Sequence, residues 1–194
     1  MKFYQALIVT LITANLIYGC APVVVGGAAT GAAAIQDRRT VGSFIDDEGV
    51  ELKTRTAIFN DKELNSQIHI NITSYNGIVL LSGEAPTEEL RARAESITRG
   101  IEKVRLVHNE MTVAAPSSIM TRSSDTLITS KVKTSLFGIK GLEGFNPTRV
   151  KVVTENGTVY LMGMLFRNEA AAVTERARQV SGVQRVVKLF EYLD

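Results

Sequence analysis

The feature that most constrains the fold of this chain is an internal repeat. The phrase YNGIVLLSG (75–83) recurs as ENGTVYLMG (155–163), 80 residues further along. Two more pairs of segments flank it in the same order: VELKTRTAIF (50–59) with ITSKVKTSLF (128–137), and RGIEKVRLV (99–107) with SGVQRVVKL (181–189). Three matching anchors in one order indicate a duplicated domain of about 70 residues rather than a solenoid.

The repeat divides most of the chain into two units. We predict the first unit over residues 46–113 and the second over 124–194. The segment between them, 114–123, contains proline and several serines, as is typical of a linker. Residues 20–45 begin with small, uncharged side chains and are predicted to form a tether ahead of the first unit.

Each unit shows the same order of predicted elements. The first helix is expected to begin at Asp46 or Asp47 in one unit and at Ser124 or Asp125 in the other, since these residues favour the N-cap. A strand, a two-residue Asn-Gly turn and a second strand follow, then a second helix. A last strand closes each unit, over residues 104–113 and 185–193. The predicted fold class is α+β, with two tandem αββαβ domains whose helices pack on one face of a small three-stranded sheet.

The N-terminal segment is predicted to be a lipoprotein signal peptide. Residues 1–19 carry one lysine, a short apolar stretch and a small residue at the end, and the stretch is shorter than the roughly 20 apolar residues of a membrane span. LIYGC (16–20) resembles a bacterial lipobox, and Cys20 is the only cysteine. The resemblance implies that Cys20 becomes the first mature residue and is acylated. Ala21 then indicates the outer membrane, because an Asp at that place typically retains a lipoprotein in the inner membrane. A buried cysteine or an uncleaved N-terminal helix is the alternative.

Composition argues against several classes of function. The formal net charge of +2 is small for a nucleic-acid binder, whose surface is usually strongly basic. The two histidines, His69 and His108, have no counterparts in the second unit, and we expect both at the surface. A zinc site needs three or four ligands, and no G-x-S-x-G motif marks a nucleophile. We therefore predict no catalytic residues, no metal site, no cofactor and no enzymatic activity.

The αββαβ unit resembles the BON-domain family through its Asn-Gly turn, its VLLSG and VYLMG strands and its SGVQRV segment. Two such domains behind a lipobox and a DRRTVG leader resemble the dual-BON outer-membrane lipoproteins, from about Cys20 to Asp194. The resemblance implies a lipid-anchored protein of the outer membrane that faces the periplasm, binds anionic phospholipid and supports outer-membrane integrity. Its implied partners are an anionic phospholipid membrane, the β-barrel assembly machinery and division-site proteins.

Charge distinguishes the two units. Residues 46–113 hold 8 Lys and Arg against 12 Asp and Glu, whereas residues 124–194 hold 10 against 7. An anionic bilayer attracts basic residues near its surface by roughly 1 kcal/mol each, so electrostatics favours contact through the second unit. The opposite charges also allow the two units to attract each other and form a compact pair.

The first helix of the second unit carries the predicted lipid contact. Leu127 lies about 100° round the helix from Ile128, which begins the core stripe, and Lys131 is one turn further on. An exposed apolar residue beside lysines is what interfacial insertion requires. The predicted lipid-binding residues are Leu127, Ile128, Lys131, Lys133, Thr134, Ile139 and Lys140.

Two alternatives stay open. In the first alternative, Leu127 packs beneath a loop or against the first unit, and the lysines of the helix form an ordinary solvated face. In the other, the chain is a protein-interaction scaffold for envelope assembly or division machinery, and its contact with lipid is incidental.

Overall fold

The structure, a computed structural model, describes residues 37–194. The predicted signal peptide, Cys20 and residues 21–36 of the predicted tether lie outside the described residues. Both repeats belong to the same compact body.

The first repeat is built around the central strand β2. Its elements are α1 (Val41–Asn60), α2 (Lys62–Gln67), β1 (His69–Tyr75), β2 (Ile78–Ala85), α3 (Glu88–Arg99), β3 (Leu106–Asn109) and β4 (Thr112–Val113). Strand β2 is antiparallel to β1 and parallel to β3 and β4. The short helix α2 was not predicted. It forms because Asp61 accepts hydrogen bonds from the amides at its start and because Leu64 is buried in the core.

The second repeat has the same plan. Its elements are α4 (Ile119–Leu136), a 3₁₀ turn (Pro147–Arg149), β5 (Lys151–Glu155), β6 (Thr158–Leu165), α5 (Arg167–Arg178) and β7 (Arg185–Tyr192). The central strand β6 is antiparallel to β5 and parallel to β7. The predicted α+β class with two tandem αββαβ units is confirmed, although the last strand of the first repeat is divided into β3 and β4.

Both first helices begin earlier than the sequence suggested. The N-caps are Thr40 and Ser118, whose side chains accept hydrogen bonds from the amides three residues on. The predicted caps near Asp47 and Asp125 are therefore wrong. Helix α1 begins inside the segment predicted as tether, and α4 begins inside the segment predicted as linker.

Asp47 and Asp125 are buried inside their helices because they hold the two Asn-Gly turns. Asp47 accepts hydrogen bonds of 2.7 and 2.8 Å from both backbone amides of the Asn76–Gly77 turn. Asp125 accepts two bonds of 2.9 Å from the Asn156–Gly157 turn. Both asparagines have positive φ angles, as this kind of turn requires. Charge-assisted hydrogen bonds of this kind fix each hairpin against its helix.

Alternate residues of the central strands face two different cores. In β2, Val79 and Leu81 pack against the helices of the first repeat, and Leu80 faces the second repeat. Residues of both repeats form the cluster between the sheets: Tyr75, Ile78, Leu80, Tyr160, Met162 and Leu189. The two repeats thus pack sheet against sheet, with helices covering the outer face of each.

Candidate functional site

One side of helix α4 packs on the core of the second repeat, and the opposite side is exposed along the length of the helix. Ile128, Val132 and Leu136 are buried in the core of the second repeat, and α4 packs on β5 and α5. Leu127, beside this buried stripe, is 62% exposed. It therefore packs neither beneath a loop nor against the first repeat.

An exposed strip runs along α4 and brings together three of the predicted residues. Leu127, Lys131 and Thr134 are all exposed, and their spacing places them within about 60° of one another on the helix. Met120 extends the strip by two turns and is 83% exposed. We call Met120, Leu127, Lys131 and Thr134 the α4 strip. It is about 21 Å long at 1.5 Å per residue.

Lys133 lies outside the α4 strip. It comes six positions after Leu127 in the helix, which turns it about 120° away. Its side chain lines a groove of about 510 Å³ between the repeats, together with His69 and Thr73 of the first repeat. Lys140 is exposed in the loop after α4, so the structure does not gather the predicted lysines into one cluster.

Two of the predicted lipid-binding residues face inward. Ile128 is 6% exposed and belongs to the core. Ile139 is partly buried and packs against the same core. Their assignment as surface contacts is wrong, because both side chains are occupied in holding α4 and the following loop on the second repeat.

Sequence reasoning missed Met120 and Phe137. Met120 lies before the predicted start of the helix, so it was assigned to the linker. Phe137, the C-cap of α4, is 67% exposed and borders a second groove with Lys133 and Lys151. Its position one residue after Leu136 carries the same signal that identified Leu127, since it lies about 100° from the buried stripe.

Helix α1 of the first repeat also exposes apolar side chains along one side. Val41, Ile45, Leu52 and Phe59 are all exposed and fall within about 40° of one another on the helix. We call these four residues the α1 strip. Glu48 and Arg55 lie on the same side of the helix, within about 40° of Val41, whereas the charged residue on the α4 strip is a lysine. The α1 strip is therefore bordered by charges of both signs, and the α4 strip carries a basic one.

His69 differs from its expected place at the surface. Its side chain is 16% exposed, and its Nδ1 lies 3.0 Å from a carboxylate oxygen of Glu84. The prediction failed because it assumed solvent on the polar side of β1, where the second repeat packs instead. His108 is partly exposed.

Within residues 37–194, no helix is both long and apolar enough to span a membrane. Comparisons with a family profile and with known proteins identify the same family. The profile of the BON domain matches residues 46–115 and 124–194. The outer membrane lipoprotein DolP of Haemophilus influenzae is 38% identical over 177 residues, which are 91% of this chain and 90% of that protein.

Two other relatives are less similar. The 21 kDa hemolysin of Actinobacillus pleuropneumoniae is 36% identical over 157 residues, or 81% of this chain and 79% of that protein. Osmotically-inducible protein Y of Escherichia coli is 28% identical over 144 residues, or 73% and 68% of the two chains. The chain thus belongs to the BON-domain family, carries two copies of the domain, and is similar over most of its length to an outer membrane lipoprotein.

Proposed function

We propose that this chain is an outer-membrane lipoprotein facing the periplasm, which binds anionic phospholipid through its second BON domain and supports outer-membrane integrity. The similarity to DolP supports the location. The lipobox-like LIYGC segment supports attachment through an acylated Cys20. No reaction is assigned to the chain.

The observation that carries the lipid contact is the pairing of Leu127 with Lys131 on the exposed α4 strip. A strip with apolar side chains and a basic one suits the boundary between headgroups and acyl chains. Lys131 contributes roughly 1 kcal/mol near an anionic surface, and full burial of a leucine contributes about 2 kcal/mol. Such a contact is weak by itself, so its role is to orient a protein that is already anchored.

Charge supports the second domain over the first. Residues 124–194 carry an excess of basic side chains, whereas residues 46–113 carry an excess of acidic ones. The α1 strip is the more apolar of the two, but Glu48 and Arg55 border it, so it carries no excess of basic charge. An anionic surface repels the Glu48 carboxylate, and burying that carboxylate in the headgroup region costs desolvation.

The α1 strip favours a second candidate function, that of a protein-interaction scaffold. Val41, Ile45, Leu52 and Phe59 form an apolar row of the kind that seats in a groove of another protein. On this account the partner belongs to the envelope assembly or division machinery, such as the β-barrel assembly machinery. Substitutions on the α1 strip then abolish partner binding and leave lipid binding unchanged.

Liposome co-sedimentation with matched variants tests the lipid proposal. The fragment 34–194 contains the whole compact body and lacks both Cys20 and the apolar N-terminal segment. Leu127→Glu should reduce binding to phosphatidylglycerol-containing liposomes at least tenfold. Leu52→Glu makes the same chemical change at a residue of similar exposure, 66%, on α1, and should leave binding unchanged. Equal binding by both variants contradicts the assignment to α4.

A further inference from the structure

A group of buried ionisable side chains lies where the two BON domains meet. His69 and Glu84 are direct partners across β1 and β2 of the first domain, and Glu155 ends β5 of the second. Nδ1 of His69 lies 3.0 Å from Oε2 of Glu84 and 3.8 Å from Oε1 of Glu155. One ligand atom from each residue lies within 4.8 Å of the other two. Two domains thus direct three metal-ligating groups to one point.

The two carboxylates are held in place by their neighbours. Asn156 donates a hydrogen bond of 2.5 Å to Oε1 of Glu84, and the amide of Ser117 donates one of 3.1 Å to Oε2 of the same carboxylate. Asn71 donates a bond of 2.7 Å to Oε2 of Glu155, and the other oxygen of that carboxylate faces His69. Outer contacts of this kind orient the ligands of a metal site before the ion arrives.

We propose that His69, Glu84 and Glu155 bind a divalent transition-metal ion of the Zn²⁺ type, which thereby links the two BON domains. An imidazole nitrogen with carboxylate oxygens suits Zn²⁺, whereas Mg²⁺ and Ca²⁺ prefer oxygen ligands alone. Three protein ligands leave a fourth position for water in a tetrahedral site.

Burial explains why a cation is favoured there. Glu84 and Glu155 are 2% and 5% exposed, so both carboxylates have lost most of their hydration. Two carboxylates this close repel each other when both are ionised. A doubly charged cation offsets both charges at once. The groove beside the cluster, lined by His69 and Glu155, gives the ion a route from solvent.

Titration with Zn²⁺ tests the proposal on the full chain in detergent. Every protein carries Cys20→Ala, because Cys20 is the only thiol of the chain and could itself bind zinc. Calorimetry should show one Zn²⁺ per chain, and Zn²⁺ at about 100 times its Kd should raise Tm by about 5–10 °C. Glu155→Gln keeps the shape of the side chain and should weaken Zn²⁺ binding at least tenfold. Mg²⁺ should produce neither effect.

The second histidine supplies the matched control. His108 lies in β3 of the same domain and outside the cluster, so His108→Asn should bind Zn²⁺ as tightly as the parent. Equal affinity in Glu155→Gln and the parent, or no binding by the parent at one ion per chain, overturns the proposal.

A measurement on the parent protein does not depend on the folding of any variant. Co²⁺ is paramagnetic and takes the same ligands as Zn²⁺, so it should selectively shift or broaden the NMR signals of the His69 ring. Signals of the His108 ring should change little. Selective loss of the His108 signals instead would place the ion elsewhere and overturn the assignment.

Discussion

Arg38 donates hydrogen bonds of 2.6 and 2.8 Å to the two carboxylate oxygens of Glu169, which lies 131 residues further along the chain. Its guanidinium also donates to the carbonyl of Met164. The next residue, Arg39, forms an ion pair of 2.7 Å with Asp47 in the first domain. The segment before α1 therefore forms ion pairs with both BON domains, although it precedes the residues that match the family.

The Arg38–Glu169 pair predicts a loss of stability in acid. Burial by itself raises the pKa of Glu169, but hydrogen bonds from Arg38 and from the Phe166 amide outweigh burial and hold this pKa below its ordinary value of 4.5. A carboxylate with a lowered pKa in the folded state stabilises the fold above about pH 4.5, and this contribution disappears as the pH falls through the folded value.

Glu169→Gln should therefore lower the free energy of unfolding by about 2 kcal/mol at pH 7. The difference between parent and variant should shrink as the pH falls below about 4.5, which urea unfolding at several pH values will show. A difference that stays constant over this range contradicts the role of the ionised pair.

The buried aspartates that hold the Asn-Gly turns should be important for stability. Asp125→Ala removes both hydrogen bonds to the Asn156–Gly157 turn and should cost about 3 kcal/mol, because two buried amides lose their acceptor. Asp46→Ala is the matched control, since solvent screens its exposed ion pair with Lys103 and the loss should be small. Urea unfolding of both variants measures the two costs, and similar losses would show that burial of the aspartate is not the cause.

The contact between the two sheets should contribute as much as an ordinary core. Leu80 is fully buried in the cluster between the domains, and Leu80→Ala should cost about 3 kcal/mol in the free energy of unfolding. Leu106→Ala removes the same atoms from an exposed position on β3 and should cost under about 1 kcal/mol. A cost for Leu80→Ala as small as that of the control would mean that the domains do not pack through this face.

The two lysines of α4 should differ in their effect on lipid binding. Lys131 belongs to the exposed α4 strip, whereas Lys133 lines the groove between the domains. Lys131→Glu changes the charge at the strip by two units and should weaken binding to anionic liposomes by about 30-fold, corresponding to about 2 kcal/mol. Lys133→Glu makes the same change about 120° round the helix and should weaken binding less. If the order of the two effects is reversed, the membrane meets the groove side of α4 instead.

Features with a regular period could be predicted from the sequence. The duplicated phrase around the Asn-Gly turn predicted the order of elements along each unit, and the helical spacing of Ile128, Val132 and Leu136 identified the buried side of α4. The same spacing placed Leu127 at the surface. The error at Ile128 came from grouping it with the exposed neighbours of Leu127, although its own period assigned it to the core.

Features that depend on distant partners could not be predicted in this way. No local pattern relates Arg38 to Glu169, or His69 to Glu155, because each pair meets only when the two sheets pack together. The packing of the two sheets is nevertheless visible in the sequence of β2. The uninterrupted apolar run from Ile78 to Leu81 is typical of a strand buried on both faces, whereas a sheet with one solvated face alternates.

Co-sedimentation of fragment 34–194 with liposomes tests the central claim most directly, because this fragment lacks Cys20 and its acyl chains. Raising the ionic strength from about 0.01 M to about 1 M shortens the Debye length from roughly 30 Å to roughly 3 Å. We expect the fragment to bind phosphatidylglycerol-containing liposomes at low salt, to leave them at high salt, and not to bind neutral liposomes. If the fragment stays in the supernatant with both kinds of liposome, the second BON domain does not bind phospholipid. The α1 strip then becomes the surface to investigate.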